Sequence, residues 1–273
     1  MGTLYLVATP IGNLEDISLR ALRILREASL IAAEDTRQTR KLLDRYGIQK
    51  ALVSYHEHNK VSRGAEIMDA LTRGDVALVS DAGTPGLSDP GYELVRSAIA
   101  AGFRVSPIPG PSAPIAALVA SGLPADAFIF LGYLPRRSAD RLRLLEILSR
   151  ERRSLVAFEA PHRLRRSLDD LIATFGGNRS AVVCRELTKV HEEILRDTLA
   201  GIRQHFEDVE PRGEFTLVIA GAPAEKIWEL EQVRSALANH LDSGMSPTQA
   251  ARIVAAQAGW SRREVYRLAV EER

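Results

Sequence analysis

One cysteine, Cys184, is all the thiol chemistry this chain carries. That excludes an intramolecular disulfide framework and a cysteine-rich zinc site. Net charge is almost absent too: 36 Lys and Arg stand against 35 Asp and Glu. A globally basic nucleic-acid arm is therefore excluded, whereas a local basic face is not. No apolar run approaches the roughly 20 residues that span a bilayer. The first ten residues lack a basic leader region and read as an opening strand, not a signal peptide. Familiar phosphate and nucleophile signatures are missing as well. No Gly-x-x-x-x-Gly-Lys-[Ser/Thr] backs the Asp-Ala-Gly-Thr-Pro-Gly segment at 81–86, and no Gly-x-Gly-x-x-Gly follows the first apolar run. Gly110-Pro111-Ser112-Ala113-Pro114 lacks the second glycine of a hydrolase nucleophile elbow.

What remains is a chain able to bury a core: 273 residues, 45 % hydrophobic and 26 % charged. That length suits two α/β units, and the simplest class is a soluble cytoplasmic α/β protein. Short apolar runs at Leu4–Ala8, Leu30–Ala33, Ala51–Ser54, Val76–Val79 and Phe103–Ser106 alternate with helical patterns. This is the signature of βα units and a largely parallel sheet. Pro107-Ile108-Pro109-Gly110-Pro111-Ser112 then stops any regular element, which predicts a domain junction near 110–125. Strand candidates resume at Phe128–Leu131, Leu155–Phe158, Ala181–Cys184, Glu193–Arg196 and Phe215–Ile219. Near the end, Ser246-Pro247-Thr248-Gln249 and Ser261-Arg262-Arg263-Glu264 are capping boxes either side of Gly259. They predict two short helices, either a helix-turn-helix-like appendage or a packing pair.

The densest chemical signal is Ser80-Asp81-Ala82-Gly83-Thr84-Pro85-Gly86-Leu87-Ser88-Asp89-Pro90-Gly91. It follows a buried strand and precedes a helix, where open α/β sheets bind ligands and glycine lets backbone approach closely. Two aspartates there suit a polar organic ligand with amines and hydroxyls.

On these segments the chain resembles the tetrapyrrole-methylase-like (class III) S-adenosylmethionine methyltransferases. The matching stretches are Val7 to Asn13, Val79 to Gly91, Pro107 to Ala113 and Leu155 to Arg163. Within that superfamily it is similar to the branch that methylates a cytidine ribose 2′-hydroxyl in small-subunit (16S) ribosomal RNA. The branch segments are Ala33-Glu34-Asp35-Thr36-Arg37, Tyr55-His56-Glu57-His58-Asn59, Gly132 to Arg137, Phe158 to Arg163 and Cys184 to Lys189. The resemblance implies two α/β domains, 1–112 and 113–224, with S-adenosylmethionine in the cleft between them, a helical tail over 225–273, and a homodimer. It implies cofactor contacts from Pro10, from Asp81, Gly83, Gly86, Leu87 and Ser88 of the long loop, and from the small pair Ser112 and Ala113. Phe158, Glu159, Ala160, Leu187 and Thr216 complete the implied walls.

Charge supports a nucleic-acid substrate independently. Between Arg136 and Arg166 ten arginines stand against four acids, and concentrated arginine fits phosphate. Arg37, Arg136, Arg137, Arg141, Arg163, Arg185, Arg262 and Arg263 are the candidate RNA contacts, on free small-subunit RNA or the assembled subunit. His56-Glu57-His58 has metal-ligand residue types but no second cluster, and methyl transfer needs no metal, so none is expected. For the proton of the attacking hydroxyl, His162 and Lys189 are candidate bases, with Glu186 orienting either. The competing readings are a tetrapyrrole methyltransferase and a non-enzymatic nucleic-acid-binding regulator using the C-terminal helices.

Overall fold

A computed structural model describes residues 2–223 and 228–271, arranged as two compact units, Met1–Ala222 and Pro223–Arg273. The first half of the larger unit alternates strand and helix: β1 (Thr3–Val7), α1 (Leu19–Glu27), β2 (Leu30–Ala33), α2 (Thr36–Arg45), β3 (Leu52–Ser54), α3 (Lys60–Arg73), β4 (Val76–Val79), α4 (Tyr92–Ala100) and β5 (Arg104–Ile108). The five strands pair in parallel in the order β3-β2-β4-β1-β5. Strand β4 shows why these runs are continuously apolar. Ala77 and Val79 pack on one face with Leu25 and Leu43, while Val76 and Leu78 pack on the other with Ile67 and Leu94. A parallel sheet covered on both faces needs apolar side chains in both directions.

The second half contains α5 (Ala113–Ser121), β6 (Phe128–Tyr133), α6 (Ser138–Leu148), β7 (Ser154–Glu159), α7 (Leu164–Phe175), β8 (Ser180–Arg185), β9 (Glu193–Thr198), α8 (Leu199–Asp208) and β10 (Phe215–Ile219). Its sheet runs β6-β7-β10-β8-β9. This sheet, unlike the first, is mixed. Only β6 and β7 are parallel; β10 runs antiparallel to β7 and β8, and β9 antiparallel to β8. Residues 186–192 alone join β8 to β9, too few for the dozen or more that a parallel crossover requires. Leu155, Ala157, Val183 and Leu217 pack against α7 and α8, and Val156, Val182 and Val218 against Ala117 and Leu118 of α5.

The expected junction at 112/113 falls between β5 and α5. The expected boundary at 224/225 lies outside the described residues. Among its described residues the smaller unit has three helices, α9 (Leu230–Asp242), α10 (Pro247–Ala258) and α11 (Arg262–Glu271), around Val233, Leu237, Val254, Val265 and Leu268. Ser246 and Gln249 close the capping box on α10, and Ser261 and Glu264 exchange the same pair of bonds before α11. Gly259 sits at φ +69° between them, a left-handed turn that glycine adopts without steric cost. The sequence pattern missed α9. Among the described residues no helix is long and apolar enough to cross a membrane.

Candidate functional site

The carboxyl ends of β1, β2, β4 and β5 point their loops at one end of the first sheet. Thr9 and Gly83 are cross-linked there by two backbone hydrogen bonds, 2.8 and 3.0 Å. This ties the loop after β1 to the long loop after β4. Gly83 and Gly86 take φ +80° and +81°, and Ser88 is held at φ +63°. A non-glycine residue in that region costs free energy that its surroundings must offset, and such residues gather at functional sites.

Between this end and the second sheet lies a cleft of about 370 Å³. From the first half Ile11, Glu34, Asp81, Gly83, Leu87, Ser88, Asp89 and Ser112 line it; from the second, Ala113, Tyr133, Phe158, Glu159, Ala160, Glu214 and Thr216. Ten of the expected cofactor residues are therefore brought together: Asp81, Gly83, Leu87, Ser88, Ser112, Ala113, Phe158, Glu159, Ala160 and Thr216. Pro10 and Gly86 do not line the cleft. Leu187 lines a small adjoining recess with Cys184 and Glu214.

Sequence reasoning did not single out Glu34 as a site residue, and gave Asp89 only as one of two loop aspartates suited to a polar ligand; it also passed over Tyr133. With Asp81, Glu34 and Asp89 make one wall acidic. Asp81 Oδ1 accepts the backbone N–H of Asp35 at 2.9 Å, and Glu34 Oε2 accepts that of Asp81 at 3.4 Å. Burial, reinforced by the charges of Glu34 and Asp81, pushes the Asp89 carboxyl up to about 7, although a hydrogen bond from Ser80 works against the rise. Burial likewise raises Glu34, against the stabilising backbone hydrogen bond of Asp81. A cation placed beside such a wall would favour its ionised form. Apolar contact comes from Ile11, Leu87 and the ring of Phe158, which meets Tyr133 at 5.3 Å between centroids.

Glu159 is 2 % exposed, yet its charge is satisfied. Arg163 Nη2 lies 2.6 Å from it, Ala160 N donates at 2.7 Å, and Ser167 Oγ donates as well. It is a strut under the cleft floor with little left for a ligand. Arg163, whose other donor serves Leu134 O at 3.1 Å, is committed to the same strut.

The candidate catalytic residues lie outside the cleft lining. His162 is exposed in the turn Pro161–Arg163, next to Ala160 and Pro161 of the wall. Glu186 and Lys189 line a neighbouring open groove with Gly12, Asn13, Arg45 and His191. Lys189 Nζ is held between Glu186 at 2.9 Å and Glu214 at 3.1 Å. Burial disfavours the ammonium, but those two hydrogen bonds win and hold it above the ordinary lysine value. Near neutral pH it is a cation that ties two carboxylates, which removes it as a base. Glu186 and Thr188 both have positive φ, +52° and +66°. This segment touches the first half: Asn13 N–H donates to Thr188 Oγ1 at 3.0 Å, and Gly12 packs against Lys189.

The candidate RNA contacts divide. Arg136, Arg137, Arg262 and Arg263 are exposed. Arg37 is exposed but paired with Asp35 at 2.7 Å. Arg185 is half-buried, bonded to Arg212 O and Glu193. Arg141 is corrected outright: it is 2 % exposed, bound to Asp170 and to Pro135 O at 2.8 Å, and so fastens α6 to α7. Its side chain sits under the surface that its neighbours occupy. Among the described residues, no group of three or more His, Cys, Asp or Glu is arranged to hold a metal.

The comparisons with known proteins agree with this architecture. Residues 3–203 match the tetrapyrrole (corrin/porphyrin) methylases, and residues 229–273 match the RsmI C-terminal HTH domain. The chain is 47 % identical to the ribosomal RNA small subunit methyltransferase I of Halalkalibacterium halodurans, over 99 % of this chain and 96 % of that one. It is 47 % identical to the protein of the same name in Synechocystis, over 99 % and 98 %. Among solved structures, uroporphyrin-III C-methyltransferase from Thermus thermophilus complexed with S-adenyl homocysteine shares the fold. It superposes with a TM-score of 0.56 at 20 % identity, over 80 % of this chain and 97 % of that one. The chain belongs to the tetrapyrrole (corrin/porphyrin) methylases, in the group of the ribosomal RNA small subunit methyltransferases I.

Proposed function

We propose that the protein transfers a methyl group from S-adenosylmethionine to the 2′-hydroxyl of a cytidine ribose in small-subunit ribosomal RNA. The observation that carries this reading is the cleft at the carboxyl ends of the first sheet. Its donor set fits the cofactor: carboxylates Glu34, Asp81 and Asp89 for its cationic groups, and Ile11, Leu87 and Phe158 for its adenine. A volume near 370 Å³ is in the range for one organic ligand. The full-length likeness to small-subunit RNA methyltransferases, not the cleft itself, favours RNA over a tetrapyrrole.

Bound there, the cofactor supplies an already activated methyl, so the protein's task is alignment and exclusion of water. The Thr9–Gly83 cross-link and the Asn13–Thr188 bond fix the loops on either side. Lys189, held by Glu186 and Glu214, keeps the wall carboxylate of Glu214 oriented. His162, exposed beside Ala160 and with no hydrogen-bond partner among the described residues, is the acceptor for the hydroxyl proton. A homodimer, a cytoplasmic setting and RNA contacts from Arg136, Arg137, Arg262 and Arg263 belong to the same reading. So does a division at 112/113 with a separate tail.

The test is mass mapping of nucleosides in small-subunit RNA from cells with and without the protein, beside calorimetry with S-adenosylmethionine. One methylated cytidine ribose should vanish without the protein, and the purified chain should bind the cofactor. An unchanged RNA map with a cofactor-binding protein moves the substrate elsewhere; no cofactor binding ends the methyltransferase reading.

A further inference from the structure

The sequence concentrates arginine after Arg136, and the fold engages part of that stretch while Arg136, Arg137, Arg150, Arg152 and Arg166 stay exposed with no ion pair among the described residues. Arg141 and Arg163 turn inward, Arg153 is tied to Glu151, and Arg165 donates to Phe206 O and Glu207 O. Helix α2 keeps its cations together. Arg37, Arg40, Lys41 and Arg45 are all exposed, opposite the buried Thr39, Leu42 and Leu43. At 3.6 residues per turn the four fall within an arc of about 140°. Arg37 is tied back to Asp35, and Asp44 shares the arc. Arg40, Lys41 and Arg45 form no ion pair among the described residues; Lys41 donates only to Gln38.

One end of α2 adjoins the cleft and the other lines the neighbouring groove. The backbone N–H of its N-cap, Asp35, donates to the cleft residue Asp81. At the other end Arg45 lines the open groove, about 960 Å³, with Gly12, Glu186, Lys189 and His191. Ten residues at 1.5 Å span about 15 Å. That equals the rise of about four stacked nucleotides at 3.4 Å each. The exposed positions of α2 are Arg37, Gln38, Arg40, Lys41, Asp44 and Arg45, with no apolar residue among them. A protein partner needs an apolar or aromatic centre to its contact; a phosphate backbone does not.

We infer that the exposed face of α2, through Arg40, Lys41 and Arg45, is the track for the phosphate backbone of the RNA strand whose ribose enters the cleft. The inference rests on the RNA-methylation reading above and adds to it a surface that the run of arginines after Arg136 does not suggest.

The test is Arg40→Gln/Lys41→Gln/Arg45→Gln in the full-length chain. Binding to a transcript of small-subunit ribosomal RNA is measured from 50 to 200 mM salt, with calorimetry against S-adenosylmethionine alongside. Every cation removed from a phosphate lowers the log–log salt slope by about 0.7 for a single strand. Three such cations lower it by about 2, so over this range wild type should lose roughly twentyfold more affinity than the variant. Cofactor affinity should not change, and Arg40→Lys/Arg45→Lys should keep the wild-type slope. Should the triple variant fail to fold, Arg45→Gln alone, at the exposed end of the helix, should show about a third of the slope change. An unchanged slope in a folded, cofactor-binding variant overturns the track, as does a slope reduced only in Arg136→Gln/Arg137→Gln. Wild-type protein that binds the cofactor but no transcript overturns the track and the RNA substrate together. Absence of cofactor binding is the separate failure of the methyltransferase reading.

Discussion

Replacing Asp89 by asparagine should stabilise the protein and impair it at the same time. The Asp89 carboxyl stands near 7 in the folded chain, against 3.8 for the free group. A group that holds its proton more tightly when folded favours the folded state at low pH. That advantage is lost as pH rises from about 4 to about 7, and above 7 the folded protein carries an ionised carboxylate against Glu34 and Asp81. Three pH units at 1.36 kcal/mol each would amount to about 4 kcal/mol. Asp89 is only partly buried, so solvent screening removes roughly half, leaving about 2 kcal/mol. Asparagine has no charge to desolvate. In thermal melts without ligand, Asp89→Asn should exceed wild type by about 4–8 °C at pH 8, at about 2–4 °C per kcal/mol for a unit of this size. At pH 5 about two-fifths of that gap should already be present, and the two should nearly coincide only below about pH 3. The cofactor reverses the comparison. A cationic ligand favours the ionised wall, so affinity for S-adenosylmethionine should climb from pH 6 to 8 in wild type beyond any climb in the variant. At pH 8 the variant should bind about tenfold more weakly, the equivalent of about 1.4 kcal/mol. A melting difference that is the same at pH 5 and pH 8 would refute the electrostatic account. Equal cofactor affinities at pH 8 would remove Asp89 from the site.

Two further outcomes follow from the packing. Arg141→Met should destabilise by about 3–5 kcal/mol in thermal or urea unfolding, because Asp170 is left without its cation; Arg141→Met/Asp170→Leu should recover most of that stability. An Arg141→Met protein of wild-type stability would show that the pair does not fasten α6 to α7. Gly12→Ala places a methyl 2.5 Å from Lys189 Cγ and 2.8 Å from Leu187 O. The 186–189 segment must then shift, at about 1–3 kcal/mol, and cofactor affinity should fall with it; unchanged melting and binding would show that the segment gives way freely.

The strands were legible because burial on both faces writes itself as a run of apolar residues. The runs Val76–Val79 and Phe215–Ile219 have the same bounds in the sequence pattern and in the structure. Their direction was not legible in the second half. An apolar run looks the same whichever way its neighbour points, and only the short 186–192 link betrays the antiparallel pairing. Helix α9 escaped because its apolar face is narrow, with Val233 and Leu237 its only fully buried members.

The site was legible where one segment carries it and illegible where several converge. The loop from Ser80 to Gly91 announces itself by composition, and most of its candidate residues do line the cleft. Glu34 lies 47 positions before Asp81, and nothing local says that their carboxyls share a wall with Asp89. The basic surface was legible only in part. Counting ten arginines between 136 and 166 treats each as a surface charge, yet an arginine's planar fork also makes it a good internal tie. Arg141 and Arg163 are used that way because α7 and the floor of the cleft offer Asp170 and Glu159 in buried positions. Helix α2 has fewer cations, but its buried face is satisfied by Thr39, Leu42 and Leu43. None of its charges is needed inside, so Arg40, Lys41 and Arg45 stay available at the surface. Charge available to a polyanion is what remains after internal pairing, and that remainder is set by the fold, not by the count. For this chain that remainder includes Arg40, Lys41 and Arg45 on a ten-residue helix that starts at the cleft's acidic wall, as well as the exposed arginines of the second half.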